Sequence, residues 1–303
     1  MAGFDNHVLV YDVGGSHISA AVFDGGTCSL AGEASAGYPS EQTTETFLHV
    51  LHSLGAAAMQ AGAGVRGAAL AMPGPFDYNL GVSWMQHKLP YLYGFDLRGA
   101  LAGHFGWPVS KVHFLNDAAA FLTGEVAAGA ARGVDRVVGI TLGTGVGSAF
   151  AVNGHVVREG SGVPTGGEIW NVPYQGGIVE DQISTRAIQK SYRERTGQER
   201  DVAAIAGLAA ADPIAAELFA EFGRNLGVAL RQVLSVFAPQ VIVLGGGISR
   251  SAHLFVPAAQ SEVGGFAELR VSALRDHAPL VGAGAAWFES EGREVPEKVP
   301  ATS

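Results

Sequence analysis

Val8-Leu9-Val10-Tyr11 running straight into Asp12-Val13-Gly14-Gly15-Ser16 is the stretch from which the architecture can be read. A short apolar run with no polar interruption reads as a buried strand, and the glycine pair behind it reads as a tight turn. Such a turn lets backbone N–H groups approach an anion, because no Cβ stands in the way and positive φ is open. The arrangement recurs twice. Val137-Val138-Gly139-Ile140 leads into Thr141-Leu142-Gly143-Thr144-Gly145-Val146-Gly147, and Val241-Ile242-Val243-Leu244 leads into Gly245-Gly246-Gly247-Ile248-Ser249. One turn of this kind is ordinary, whereas three, each behind a β-branched run, predict a chain built to hold phosphates.

Outward from the first turn, the pattern predicts a meander: a strand to residue 13, a second over 18–23, the Asp24-Gly25-Gly26 turn, and a third over 29–34. A helix over 43–61 follows, with Phe47, Val50, Leu51 and Leu54 on one face and Thr43 or Thr44 as its cap. Next come a strand at 67–72 closed by Pro73-Gly74-Pro75, a helix over 97–105, a strand over 109–115 and an alanine-rich helix from 116 to 130. The second half repeats the theme, with strands at 137–142 and 148–152, a hairpin at Asn153-Gly154 and a strand at 156–157. The polar, glycine-rich stretch 159–177 is expected to be a functional loop, since irregular segments this long are uncommon in compact domains. Helices are predicted over 181–196 with Asp181 as its cap, over 201–210 and over 213–237. A strand at 241–244 and a closing helix at 282–290 finish the fold, and 291–303 reads as a polar tail. Two halves of like plan predict an α/β fold with two similar domains flanking a cleft. The expected division is a small N-terminal domain over 1–117, joined by the C-terminal helix at about 282–303, and a larger domain over 118–281.

The 303 residues, 48% apolar and 16% charged, supply material for about two buried cores. A formal net charge of -9 argues against a nucleic-acid partner, which calls for a basic stripe. No apolar run reaches the roughly 20 residues that cross a bilayer, and residues 1–7 carry neither a basic start nor an apolar signal core. The expectation is a cytoplasmic protein without a membrane partner. Cys28 stands alone, which excludes an intrachain disulfide and a cysteine-based zinc site but leaves oxygen-ligated metals open. It reads as a small apolar residue near a turn. His87, His104 and His113 share no ligand spacing and read as surface or packing residues.

The three glycine motifs, together with Leu115-Asn116-Asp117, resemble in order and spacing the signature of ROK-family sugar kinases. These belong to the hexokinase/actin-like ATPase superfamily, with its ribonuclease-H-like domains. The resemblance runs from Asp12 to Gly282-Ala283-Gly284. It implies that Gly14, Gly15 and Ser16 face the transferred phosphoryl group, that Gly143, Thr144 and Gly145 line the ATP phosphates, and that Gly245, Gly246 and Gly247 pack against adenosine. Asp12 would hold Mg²⁺ through water, in keeping with an ion that is usually tied by one or two carboxylates and phosphate. Asp117 would be the catalytic base for a sugar's primary hydroxyl, with Asn116 orienting the ring. The plainer reading of Asn116-Asp117 is a helix cap, and both can hold together, with the capping carboxylate expected to keep a low pKa.

The resemblance also places Glu168 and Glu180 where the family has two sugar-binding glutamates, the plain alternative being solvated loop charge. Asn171 stands where the family's Gly-Glu-x-Gly-His motif ends in His, and Tyr174 to Glu180 occupy the place of the cysteine-rich zinc knuckle that most members carry. No zinc is therefore expected. Lys88-Leu89 stands where an Asn-Leu pair usually contacts the sugar, so Lys88 joins Asn116, Asp117, Glu168, Asn171 and Glu180 as a candidate substrate ligand. Trp84, Tyr91, Tyr93 and Phe95 read equally as core or as one wall of a sugar pocket.

The activity this implies is ATP-dependent phosphorylation of a hexose, glucose first. Fructose, allose or an N-acetylated amino sugar are alternative acceptors, and polyphosphate an alternative donor. A ROK transcriptional repressor is disfavoured because the Asp12 strand begins within the first dozen residues, and a non-catalytic sugar sensor because a pure binder needs neither Asp12 nor Asp117. A homodimer is implied by the resemblance alone.

Overall fold

Strand β1 (His7–Val13) is apolar on both faces, as a central strand covered by helices on each side must be. A computed structural model of the chain describes residues 6–15, 17–38, 41–60 and 64–292; Ser16 lies outside the described residues, as does the expected tail beyond residue 292. β1 pairs antiparallel with β2 (His17–Asp24), and β2 with β3 (Ser29–Gly37), whose alternating burial marks it as an edge. Cys28 is buried at the β2–β3 turn. Helix α1 (Thr44–Met59) starts where Thr43 and Thr46 cap each other: Thr46 N–H donates to the Thr43 hydroxyl at 3.2 Å and Thr43 N–H to the Thr46 hydroxyl at 2.9 Å. The buried Tyr11 hydroxyl donates to the Leu51 carbonyl at 3.0 Å and ties α1 to β1.

β4 (Ala68–Met72) runs parallel to β1. A small hairpin of β5 (Phe76–Asp77) and β6 (Val82–Ser83) follows, then α2 (Leu97–Phe105), capped by Asp96, which accepts from Gly99 N–H at 2.8 Å. β7 (Val112–Asn116) joins β4 in parallel, giving the order β3-β2-β1-β4-β7, and passes directly into α3 (Asp117–Ala128). The strand expected from residue 109 begins three residues later, after a 3₁₀ turn at Val109–Lys111.

The second sheet repeats the plan. β8 (Arg136–Leu142), β9 (Val146–Val152) and β10 (His155–Val157) form the meander, and Asn153 and Gly154 take positive φ of 51° and 85° in the hairpin turn. The expected loop over 159–177 holds a 3₁₀ turn at Thr165–Gly167 and a two-strand hairpin, β11 (Pro173–Tyr174) with β12 (Gly177–Ile178). The single helix expected over 181–196 is two: α4 (Val179–Gln182) and α5 (Thr185–Thr196). Ser184 between them is extended, and Thr185 N–H donates to the Gly143 carbonyl at 2.8 Å instead of continuing a helix. Asp181 is consequently not a cap ahead of the helix but lies inside α4, accepting from Ile178 N–H at 3.0 Å. α6 (Val202–Leu208) and the long amphipathic α7 (Pro213–Leu234) precede β13 (Val241–Gly245).

Neither α8 (Ala252–Val263), which carries Pro257 in its interior, nor β14 (Glu268–Val271), only four residues long, was expected from the sequence. They complete the order β10-β9-β8-β13-β14. The closing helix α9 (Ala278–Ser290) starts earlier than 282.

The chain divides into two units, one holding the residues up to Ala128 and those from His277, the other Gly129–Asp276. Each has its own apolar core. The division falls later than 117/118 because α3 packs along α9. An ideal Cβ on Gly282 would stand 1.8 Å from the Ala120 carbonyl oxygen, and one on Gly124 2.1 Å from that of Ala278, so these helices meet backbone to backbone. Among the described residues no single helix is long and apolar enough to cross a membrane.

Candidate functional site

In the first unit, Asp12 lies at the C-terminal end of β1, half-buried, level with Ser19 of β2 and Ala71 of β4. The turn beyond it is closed by Gly14 N–H donating to the His17 carbonyl at 3.0 Å. Neither Gly14 nor Gly15 has positive φ, so left-handed backbone is not why glycine stands there. A Cβ at Gly15 would meet no protein atom within 4 Å, so the glycine leaves the exposed backbone open to an incoming group. From β3's end, the Tyr38 hydroxyl donates to the Gly14 carbonyl at 2.6 Å. Burial, then the nearby Tyr91 and the charge of Asp12, hold that phenol well above its ordinary pKa, so it stays a donor.

Asn116 and Asp117 mark the β7–α3 junction, at the same C-terminal edge of the sheet as Asp12, because Met72, next to Ala71 in β4, is level with Asn116. The Asn116 side-chain oxygen accepts from Ala118 and Ala119 N–H at 3.0 and 3.1 Å, which makes Asn116 the cap. Its amide donates to the Tyr78 hydroxyl at 3.3 Å, and that hydroxyl donates to the Met72 carbonyl at 3.3 Å. Asp117 accepts from Ala118 N–H at 2.8 Å. The expected low pKa is overturned: burial raises the Asp117 carboxyl above its ordinary value, outweighing the opposing pull of the Lys88 ammonium, the Ala118 N–H and the Asn116 side chain. Lys88 itself is exposed. Of the neighbouring aromatics, Tyr91 and Phe95 pack on the core, while Trp84 and Tyr93 stay exposed, edge to face at 5.5 Å.

In the second unit, the Leu142–Val146 turn is closed by Gly143 N–H donating to the Gly145 carbonyl at 3.0 Å, with Thr144 exposed at its tip. The third glycine turn lies against it. Gly245 ends β13 opposite Thr141, and Gly246, at φ 80°, has no room for a Cβ, which would come within 2.4 Å of the Leu142 carbonyl oxygen. Gly247 is exposed beyond it. Two of the three glycine turns read from the sequence thus share one corner of this unit.

Glu168 is exposed and accepts from the Trp170 indole N–H at 2.8 Å. Its loop is pinned to β9 by buried Ser148, whose hydroxyl donates to the Gly167 carbonyl at 2.6 Å and accepts from Ile169 N–H at 3.0 Å. Asn171 is exposed. Glu180, expected beside Glu168 as a sugar ligand, has one oxygen on the Val146 N–H at 3.0 Å and the other on the Arg186 guanidinium at 2.6 Å. Where a zinc knuckle would sit, the β11–β12 hairpin is held by its own pairing and by Tyr174, buried in the core with its hydroxyl donating to the Asn225 carbonyl at 3.3 Å. Among the described residues no three His, Cys, Asp or Glu side chains gather as a metal site. Sequence reasoning missed Tyr38, Tyr78, Ser148 and Arg186, none of which stands in a glycine motif.

A family model described as the ROK family matches residues 8–290. The chain belongs to the ROK family. Among ROK relatives, the glucokinase of Thermotoga maritima is 30% identical over 248 residues, 71% of this chain and 76% of that protein. The xylose repressor of Bacillus subtilis is 25% identical over 260 residues, covering 80% of this chain and 66% of the repressor. The ROK hexokinase structure from Thermus thermophilus superposes with a TM-score of 0.77 at 28% identity, over 94% of this chain and 99% of that one. A ROK family glucokinase from Streptomyces griseus, in complex with glucose and AMPPNP, gives a TM-score of 0.75 at 25% identity over 92% of this chain and 98% of its own. The two repeated α/β sheets are therefore those of the ROK sugar kinases, with the actin-like ATPase fold.

Proposed function

We propose that this ROK protein is an ATP-dependent hexose kinase with glucose as its first acceptor. The observation that carries the reading is the placement of Asp117: a carboxyl raised by burial, at the same sheet edge as Asp12 and the open backbone of Gly15. A raised pKa suits a general base, since its proton affinity approaches that needed at the working pH. Asp117 takes the proton of the primary hydroxyl, the freed oxygen bonds to the terminal phosphorus, and the bond to the bridging oxygen breaks to release ADP. Asn116 is fixed by its cap bonds and by Tyr78, so it presents a rigid edge to the sugar, and exposed Lys88 is a further hydroxyl ligand. Glu168 and Asn171 are proposed as sugar ligands of the second unit.

The Leu142–Val146 turn is proposed to receive the donor phosphates, and the Gly245–Gly247 turn the adenosine. A magnesium ion fits Asp12 as one half-buried carboxylate beside a phosphate turn, the donor set of an ion held mostly by phosphate and water. Bound there, it would neutralise charge on the transferring group. Fructose, allose, N-acetylated amino sugars and a polyphosphate donor stay within this reading, as does assembly into a homodimer.

A sugar-responsive regulator is the second reading, favoured by the similarity to the xylose repressor. ADP release measured with a panel of hexoses separates the two. Turnover with one sugar supports the kinase, and sugar binding without ADP release supports the regulator.

A further inference from the structure

Resting on the kinase reading, we propose that His17 is a further catalytic residue, whose imidazole donates a hydrogen bond to the phosphoryl group during its transfer. His17 opens β2 and stands opposite Gly14, since the register places Val13 against Ile18 and Gly14 N–H meets the His17 carbonyl at 3.0 Å. Residues opposite each other in an antiparallel pair send their side chains to the same face, and so do residues two apart on one strand. Asp12, Gly14, His17 and Ser19 therefore share a face. The imidazole lies on that face beside the glycine: an ideal Cβ on Gly14 would stand 3.8 Å from the ring's Cε1 and 3.9 Å from its Nδ1. The ring thus runs along the turn, and His17 is exposed, open to an incoming group.

The other face of the two strands, with Tyr11, Val13, Ile18 and Ala20, is buried in the core of the unit. On the His17 face the cover is α9, which meets β2 at its far end: a Cβ on Gly284 would come within 2.3 Å of the Phe23 ring. α3 packs along α9 and opens with Asp117. Asp12, His17 and the start of α3 thus belong to one edge and one side of the same sheet. The groups gathered there call for a donor. Asp12 and Asp117 are acids, the Tyr38 hydroxyl is committed to the Gly14 carbonyl, and the Lys88 ammonium acts on Asp117. An imidazole keeps an N–H in either protonation state, so His17 brings a donor to the Asp12 side of the edge whichever form it takes. No bond to His17 forms or breaks. Its hydrogen bond strengthens as charge builds on the phosphoryl oxygens, which is how a fixed donor lowers a transfer barrier.

The experiment has two arms on the full chain. Side-chain NMR of the histidine rings, with the His17 signal identified by its loss in His17→Ala, compares Mg·ADP with Mg·AMPPNP. The His17 ring should shift with AMPPNP and stay in place with ADP, because only AMPPNP carries a terminal phosphoryl group. Steady-state kinetics with the acceptor hexose compares wild type, His17→Ala and His17→Lys, with folding checked by thermal melts. Removing one fixed donor predicts a kcat about 10²-fold lower for His17→Ala, with the hexose KM unchanged. His17→Lys, which returns an N–H donor to the same place, should recover most of that loss. A ring that ignores AMPPNP, or a His17→Ala kcat equal to that of an active wild type, would overturn the role of His17 alone. A wild type that releases no ADP with any hexose would overturn the kinase reading and the catalytic role with it.

Discussion

The hydroxyl of Tyr38 donates to the carbonyl of Gly14 at 2.6 Å, so the residue that follows β3 holds the backbone of the β1–β2 turn from outside the turn itself. The phenol stacks on Phe47 of α1, which fixes its direction. Tyr38→Phe keeps the packing and removes the donor. The expected cost is about 1 kcal/mol in urea unfolding, the usual net worth of such a bond, together with a lower kcat. Kinetics and stability both equal to wild type would show that the turn holds its shape without Tyr38.

Asp117→Asn should lower kcat by roughly 10²- to 10⁴-fold with nucleotide affinity kept, the usual worth of general base catalysis. A second readout follows from the raised pKa. A carboxyl whose folded pKa lies above its ordinary 3.8 adds stability in full below that value, and the contribution is lost as pH rises through the folded pKa. The wild type should therefore lose stability relative to Asp117→Asn as pH climbs past 3.8. Urea unfolding of both proteins from pH 3.5 to 7 measures it; parallel curves would contradict the burial argument.

Ser148→Ala leaves two buried partners, the Gly167 carbonyl and the Ile169 N–H, without their bond. A loss of about 2 kcal/mol is expected, since an orphaned buried group costs more than a bond is worth on balance. Because the same loop carries Glu168, KM for the sugar should rise as well. Lost stability with an unchanged sugar KM would detach Glu168 from substrate binding.

His52 of α1 lies flat on His104 of α2, with ring centroids 3.4 Å apart. Burial first, then the charges of His104 and His49, push its pKa down from 6.5 to about 4. A depressed histidine resists protonation only while folded, so stability is full above 6.5 and declines as pH falls towards about 4. His52→Gln should flatten that decline in thermal melts between pH 7 and 4. An equally steep variant would assign the acid sensitivity elsewhere.

The sequence by itself determined the repeated plan and the corners where chemistry is expected. Apolar runs ending in glycine, and Asn116-Asp117 behind a largely apolar strand, are local signals, legible because a strand and its turn span few residues. The cap of α1 was legible as Thr43 or Thr44 for the same reason, and the structure makes it Thr43. The structure decided what holds those corners in place. Tyr38 is 24 residues from Gly14, Glu180 is 34 from Val146, and Ser148 is 19 from Gly167, so no spacing rule connects them. The break before α5 needed the Gly143 carbonyl as a competing acceptor, and α8 was hidden by its internal proline. The raised pKa of Asp117 was decided there too, because burial sums over neighbours from many parts of the chain, while the capping bond that predicted a low value is a property of adjacent residues.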